Sequence, residues 1–255
     1  MNCVKTLFLR TFFCLLCLAA FTGSAAWCGE FSLGAVGVVS TSPYKSYDTV
    51  VSALPLVNYD SDRFYVKGVE LGAHLLKNDM HTVSVGVLYH GMEFDPKDTK
   101  DKALKLLGKR RSTLMAAVSY SFTSRFGVLQ AQISQDIILG RSKGTLGDFS
   151  YQIPWVTEKI TVMPGIGITL SSEKYTKYYF GVSRSESARS GIPYYKPSGI
   201  SASPYLSLGM KYMITDRLSA VASGKVELLT GKVKDSPMVG RSCVVSFAAG
   251  MQFAF

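Results

Sequence analysis

The segment 178–195, YYFGVSRSESARSGIPYY, gathers serines at 183, 185, 187 and 190 around Arg184, Glu186 and Arg189, between aromatic flanks. Gly181-Val182-Ser183-Arg184-Ser185 begins like the nucleophile elbow G-x-S-x-G, but its last position is Ser185. The sharp turn that exposes a catalytic serine therefore lacks its second glycine. A base for Ser183 would have to come from His74, His81 or His90, and nothing in the spacing of His90 and Ser183 supports a triad. Three scattered histidines without clustered cysteines or carboxylates also make a poor metal site. These residues point away from an enzyme, and no cofactor is implied. Charge is the remaining chemistry. Lys225 and Glu227 lie two apart, and Lys102, Lys105, Lys109, Arg110 and Arg111 form a basic run. What these groups do depends on the elements that carry them.

The N-terminus reads as a targeting segment. Lys5 and Arg10 precede the apolar run 11–21 (TFFCLLCLAAF), which is too short to span a bilayer as a helix, and small residues follow at 23–26. Cleavage after Ala26 divides the chain into a signal peptide, 1–26, and a working domain, 27–255. The leader holds two of the 28 basic residues and none of the 18 acidic ones, leaving 26 against 18. An exported basic chain seldom meets nucleic acid. Anionic lipid or lipopolysaccharide phosphate is the expected counter-charge. Beyond the leader there is no apolar run of about 20 residues, so a membrane crossing would use strands.

The chain is built of such strands. Reading back from Phe255, the residues Phe253, Met251, Phe247 and Val245 share one parity, while Gln252, Gly250, Ala248 and Ser246 share the other. That is period two, with one apolar face. In 203–214, Leu206, Leu208, Met210 and Tyr212 oppose Tyr205, Ser207, Gly209 and Lys211. In 217–229, Leu218, Ala222 and Val226 oppose Ser219, Ser223, Lys225 and Glu227. In 128–137, Leu129, Ile133 and Ile137 oppose Gln130, Gln132, Ser134 and Asp136. The segments 82–90, 114–122, 148–155 and 159–171 follow the same rule. The second face is small and polar, as the narrow lumen of a membrane barrel requires. Aromatics cluster at strand ends (Tyr120, Phe122, Trp155, Tyr212), as interfacial girdles do. The fold class is all-β: a transmembrane antiparallel β-barrel, whose closure pairs every backbone polar group within the bilayer.

Short turns near 60–62, 77–79, 124–125, 157–158 and 215–216 alternate with long connections at 41–49, 92–111, 139–147, 173–202 and 230–240. The short ones face the periplasm and the long ones the exterior. Both termini are then periplasmic and the strand count is even. Eleven segments read clearly as strands. Splitting 62–76 near Lys67-Gly68 into two short ones gives twelve, with ten and fourteen as alternatives. Cys28 and Cys243 would then lie at opposite ends of neighbouring strands, roughly 30 Å apart, so no intramolecular disulfide is expected.

On this topology the Arg-Ser segment belongs to the longest external loop. The expectation is that it folds inward and constricts the lumen through Phe180, Gly181, Ser183, Arg184, Glu186, Arg189, Gly191 and Pro193. Arg184 and Arg189 would pair with Glu227, Asp136 or Glu186. The lumen charges would be Asp136, Lys211, Lys225 and Glu227. Lys105, Lys109, Arg110 and Arg111 are the candidate contacts to lipopolysaccharide phosphates. Phe247, Met251, Phe253 and Phe255 form the terminal signal that barrel assembly machinery would read during insertion.

Several blocks also resemble a known family. Tyr179-Phe180-Gly181-Val182-Ser183, Ser187-Ala188-Arg189-Ser190-Gly191, Pro193-Tyr194 and Pro197-Ser198-Gly199 look like the signature of the MipA/OmpV family. Leu54-Pro55-Leu56, Thr215-Asp216-Arg217-Leu218-Ser219, Asp235-Ser236-Pro237 and the Phe-terminated last strand extend the resemblance over nearly all of 27–255. It implies an outer-membrane barrel of a Gram-negative bacterium that acts as a scaffold, bridging a murein synthase and a lytic transglycosylase. Other members are described as porin-like or adhesive, so a narrow channel and an adhesin are the alternatives. No catalytic residues carry over. Members often have an acidic stretch before the strand near 112, where this chain has Gly108-Lys109-Arg110-Arg111.

Overall fold

In the computed structural model, residues 29–138 and 141–255 are described. The segment 1–26, expected to be a signal peptide, and Cys28 lie outside them, and Cys243 is free. The strands are β1 (Gly29–Ser40), β2 (Val50–Ser61), β3 (Phe64–Lys67), β4 (Glu70–Lys77), β5 (His81–His90), β6 (Thr113–Ser124) and β7 (Gly127–Asp136). After them come β8 (Thr145–Gln152, resumed as Trp155–Val156), β9 (Ile160–Ser171), β10 (Ser201–Met213), β11 (Leu218–Leu228) and β12 (Cys243–Ala254). The break in β8 falls at Pro154, which has no N–H to give. Ile153 N–H still donates to the Pro164 carbonyl at 3.0 Å, so the ladder continues past it.

Each strand pairs antiparallel with its sequence neighbours, and β12 pairs with β1 from Ser32↔Ala254 to Ser40↔Ser246, closing a twelve-stranded barrel. The register confirms which parity faces inward. On the inner face Asn58 Nδ2 donates to Gln252 Oε1 over β1 at 3.3 Å, and Gln132 reaches Glu70 at 3.3 Å. Leu206 and Phe247, of the opposite parity, are 61% and 53% exposed on the outer wall, where lipid replaces water. At the seam the backbones approach closely. A Cβ on Gly250 would sit 2.0 Å from the Ala35 carbonyl oxygen, and one on Gly34 2.1 Å from that of Met251. Phe255 finishes the seam: its N–H donates to the Phe31 carbonyl at 3.1 Å and its ring lies 5.4 Å from that of Phe31.

The split of 62–76 falls where the sequence suggests. Gly68 takes φ +61°, a left-handed conformation that costs glycine little, and turns β3 into β4. That hairpin is short: β2 pairs with β3 only over Asn58↔Lys67, Tyr59↔Val66 and Asp60↔Tyr65.

Candidate functional site: a cap over the outer mouth

The connection 172–200 is not an open loop. It holds two helices, α1 (Glu173–Phe180) and α2 (Arg184–Ser190). Ser172 caps α1 by accepting from Tyr175 N–H. Ser183 begins α2 with a capping box: its hydroxyl accepts from Glu186 N–H, and the Glu186 carboxylate accepts from Ser183 N–H. Gly191 ends α2 at φ +73°. The S-x-x-E spacing that specifies this box is present in the sequence, but the clustered serines and flanking glycines give it the composition of a loop.

The helices settle because α1 carries Tyr175 and Tyr179 at i and i+4, both buried. They meet apolar residues from the other external connections. Tyr44 comes from 41–49, Phe94 and Leu104 from 91–112, and Met238 from 229–242, which also holds a third helix, α3 (Gly231–Lys234). Phe94, Tyr179 and Met238 are 0% exposed. Tyr44 and Phe94 meet edge-on at 4.8 Å. Their polar ends are satisfied: Tyr44 hydroxyl donates to the Tyr179 carbonyl at 3.1 Å, Tyr179 hydroxyl to the Arg111 carbonyl at 3.1 Å, and Ser236 hydroxyl to the Phe180 carbonyl at 2.7 Å. The result is a hydrophobic core made of connections alone and lying across the outer mouth.

Glu186 pins this cap. It accepts from Arg110 Nη2 at 2.8 Å, Gly108 N–H at 2.9 Å and Ser183 hydroxyl at 2.8 Å. Burial alone would raise its pKa. The hydrogen bonds from Ser183, Gly108 and Arg110 outweigh that and hold it at about 2. Below the cap, His90 Nε2 lies 2.8 Å from Tyr175 hydroxyl, and Asp136 accepts from Thr113 and Ser142 hydroxyls, both at 2.6 Å. Deeper in the lumen, Lys225 Nζ is 3.1 Å from Glu227 and 4.0 Å above the Tyr205 ring, whose hydroxyl donates to Asp148 at 2.8 Å. Of these groups Lys225 reaches a lumen cavity of about 420 Å³, lined also by Val38, Gln152, Ser207, Ser246 and Ala248.

The expected pairings of the Arg-Ser segment are corrected. Arg184 lies over the Tyr194 ring at 5.7 Å, and Arg189 Nε donates to the Leu106 carbonyl at 2.8 Å. The partner of Glu186 is Arg110, delivered from another connection, so neither arginine of α2 reaches Glu186, Glu227 or Asp136. Arg110 is therefore turned inward, its side chain 13% exposed, and is not free to meet a lipid phosphate. Lys109 bonds Asp95 at 2.6 Å, while Lys105 and Arg111 stay on the surface. Lys211 faces the lumen near the periplasmic end, by its pairing with Thr161. Gly181 ends α1, and Pro193 follows buried Ile192 back toward β10. Phe247, Met251, Phe253 and Phe255 all stand on the outer wall. Ser183 and His90 serve a capping box and a tyrosine, not each other. Among the described residues, no three His, Cys, Asp or Glu side chains are placed to hold a metal. Tyr44, Phe94 and Met238 went unremarked in the sequence. Their only signal is an apolar side chain within an otherwise polar external segment.

A closed barrel with a lipid-facing apolar wall, a polar lumen and long connections on one side defines an outer-membrane β-barrel protein. Residues 33–255 match the family described as MltA-interacting protein MipA, and the chain belongs to that family. It is 37% identical to the MltA-interacting protein of Escherichia coli (strain K12) over 239 residues, covering 93% of this chain and 95% of that protein. It is 26% identical to the 24 kDa outer membrane protein of Pasteurella multocida (strain Pm70), covering 94% and 96% of the two. Among solved structures, the NanC porin superimposes with a TM-score of 0.47 at 10% identity, covering 87% of this chain and 98% of that one.

Proposed function

We propose that the protein is a non-enzymatic scaffold of the outer membrane, with 27–255 as its working barrel. Its periplasmic turns would hold a lytic transglycosylase and, with it, a murein synthase. The observation that carries this reading is the cap: a barrel whose outer mouth is filled by its own packed core is built to stay shut. A relative named for its interaction with MltA supports the first partner. The periplasmic turns are short, at 62–63, 78–80, 125–126, 157–159 and 214–217. They offer a small footprint, suited to a partner already held at the membrane. Photo-crosslinking in cells tests this, with probes at Thr157 and Asp216 in the turns and at Ser187 in the cap. Capture of a transglycosylase from the turns and not from Ser187 is the expected outcome. Silent turns in a correctly inserted barrel would sink the scaffold.

A narrow channel is the second reading, favoured by the lumen cavity, which Lys225 lines while paired with Glu227. Deleting 183–191 removes α2 and, with Glu186, the whole of the pin. Planar-bilayer conductance is expected to rise from a low level, and an unchanged value would show that α2 does not obstruct the lumen.

A further inference from the structure

The wall of the barrel has a gap in its outer half. β2 runs on from Asn58 to Val50, toward the exterior, after its pairing with β3 has stopped. On the far side, β4 begins at Glu70 opposite Leu88 of β5, and Tyr89 N–H donates to the Val69 carbonyl at 3.0 Å. Above the β3–β4 hairpin, β2 thus faces only His90, the last residue of β5, and the connection that follows it, across three inter-strand steps, roughly 14 Å. Among the described residues no strand fills that space. The opening is bridged on top: Lys100 N–H donates to the Ser46 carbonyl at 2.8 Å, and Lys100 Nζ bonds Asp48 at 2.6 Å. It is a window in the wall beneath the cap.

Its edge is chemically unusual for a bilayer. Gly68 N–H donates to the Val57 carbonyl, which fixes the side to which alternate backbone groups of β2 point. Pro55, Ala53 and Val51 therefore turn their backbone toward the window. An unpaired N–H in hydrocarbon costs several kcal/mol. The deepest of the three positions is Pro55, which has no N–H. That leaves Ala53 and Val51, nearer the rim, as donors. The window is apolar on both sides. Val51, 72% exposed, and Val69, Leu71 and Tyr89 continue the lipid-facing wall outside. Inside, the lumen parity of β1 and β2 brings Val36, Val38, Leu54 and Leu56, where the opposite wall carries Lys225, Tyr205 and Asp148.

We propose that this window admits an acyl chain of a membrane phospholipid into the lumen. The chain lies along Leu54 and Leu56, and its ester oxygens accept from the N–H groups of Ala53 and Val51. The occupant follows from continuity: the window opens onto lipid, its lining is apolar, and its two donors sit toward the headgroup level. The gap admits one chain while its sibling remains in the bilayer. This goes beyond the scaffold reading and does not depend on it.

The test is tryptophan quenching in vesicles of dibrominated phosphatidylcholine, in a background with Trp27 and Trp155 replaced by Phe. Heat-modifiable gel mobility certifies that each variant is folded. Leu54→Trp is expected to be quenched as strongly as the lipid-facing Val39→Trp, whereas Ser207→Trp on the opposite lumen wall keeps its emission. Adding Ser52→Arg, a cation at the inner edge of the window, is expected to restore the Leu54→Trp emission. Leu54→Trp emission as bright as that of Ser207→Trp would overturn the proposal. So would quenching that survives Ser52→Arg, because the indole would then be reaching out rather than the chain reaching in. If Leu54→Trp fails to fold, Val50→Trp reads the same wall.

Discussion

Glu186→Ala is expected to release α2 from the barrel mouth. The carboxylate is the shared acceptor of Arg110, Gly108 and Ser183, and its side chain is 10% exposed. Removing it leaves the Arg110 guanidinium largely buried without its partner and takes away the capping box. Loss of one member of a buried pair costs about 3 kcal/mol or more. The open state of the cap should therefore gain on the order of a hundredfold in population. Limited trypsin digestion at Arg184 and Arg189 reads that opening, while the barrel keeps its heat-modifiable mobility. Cleavage no faster than in the parent chain would mean that the apolar core holds the cap without the pin.

The same pin is acid-sensitive, and the sign follows from the depressed pKa. The Glu186 carboxyl sits at about 2 in the folded cap against an ordinary 4.5. Its contribution is complete above about pH 4.5 and is lost as the pH falls toward 2. Tryptic sites are unsuited to that range, so pepsin replaces trypsin. Cleavage beside Tyr178, Phe180 and Tyr194, the aromatic residues that flank α2, should rise over that interval in the parent chain. Glu186→Gln, which cannot titrate, should show no such step.

Gly250→Val should have the larger effect on the molecule as a whole. A Cβ at this position falls 2.0 Å from the Ala35 carbonyl oxygen, and the obstacle is backbone, which cannot rotate away. Gly250 pairs with Val36 in the middle of the β1–β12 ladder. The substitution is expected to keep the seam from zipping. The heat-modifiable band would be lost, and the chain would be degraded in the periplasm. Gly224→Ala is the control, because its Cβ meets nothing nearer than the Ser246 carbonyl oxygen at 4.0 Å. A folded, inserted Gly250→Val barrel would show that the seam tolerates a splay the geometry does not suggest.

The barrel was legible in the sequence because its constraint is local. Alternation in 203–214 and 217–229 follows from each residue facing either lipid or lumen, and parity survives whatever the neighbours do. Even the short β3–β4 pair announced itself, since Gly68 is the residue that can turn there. The cap was legible only in fragments. Ser183 and Glu186 carry their capping box in the order of the chain, yet the ion-pair partner of Glu186 is Arg110, 76 residues away. No spacing rule connects them. Arg110 read as a surface cation because it stands in a basic run, and only the fold reveals that Lys105 and Arg111 remain outside while it turns in. Tyr44, Phe94 and Met238 were invisible for a related reason: each is a lone apolar side chain whose meaning lies in two others from different connections.

That the cap core draws on Tyr44 near one end of the barrel sequence and Met238 near the other has a consequence for assembly. Tyr44 follows β1 and Met238 precedes β12, the two strands of the seam, and Tyr44 bridges to Val239 above it. Contacts of such long sequence separation form late, because the chain between them must first be ordered. The lid thus has no way to pack until first and last strands have met. Resistance of the outer face to protease becomes a clock for biogenesis: a barrel still open at its seam shows the cell exterior a set of loose loops, and a sealed mouth certifies a finished wall.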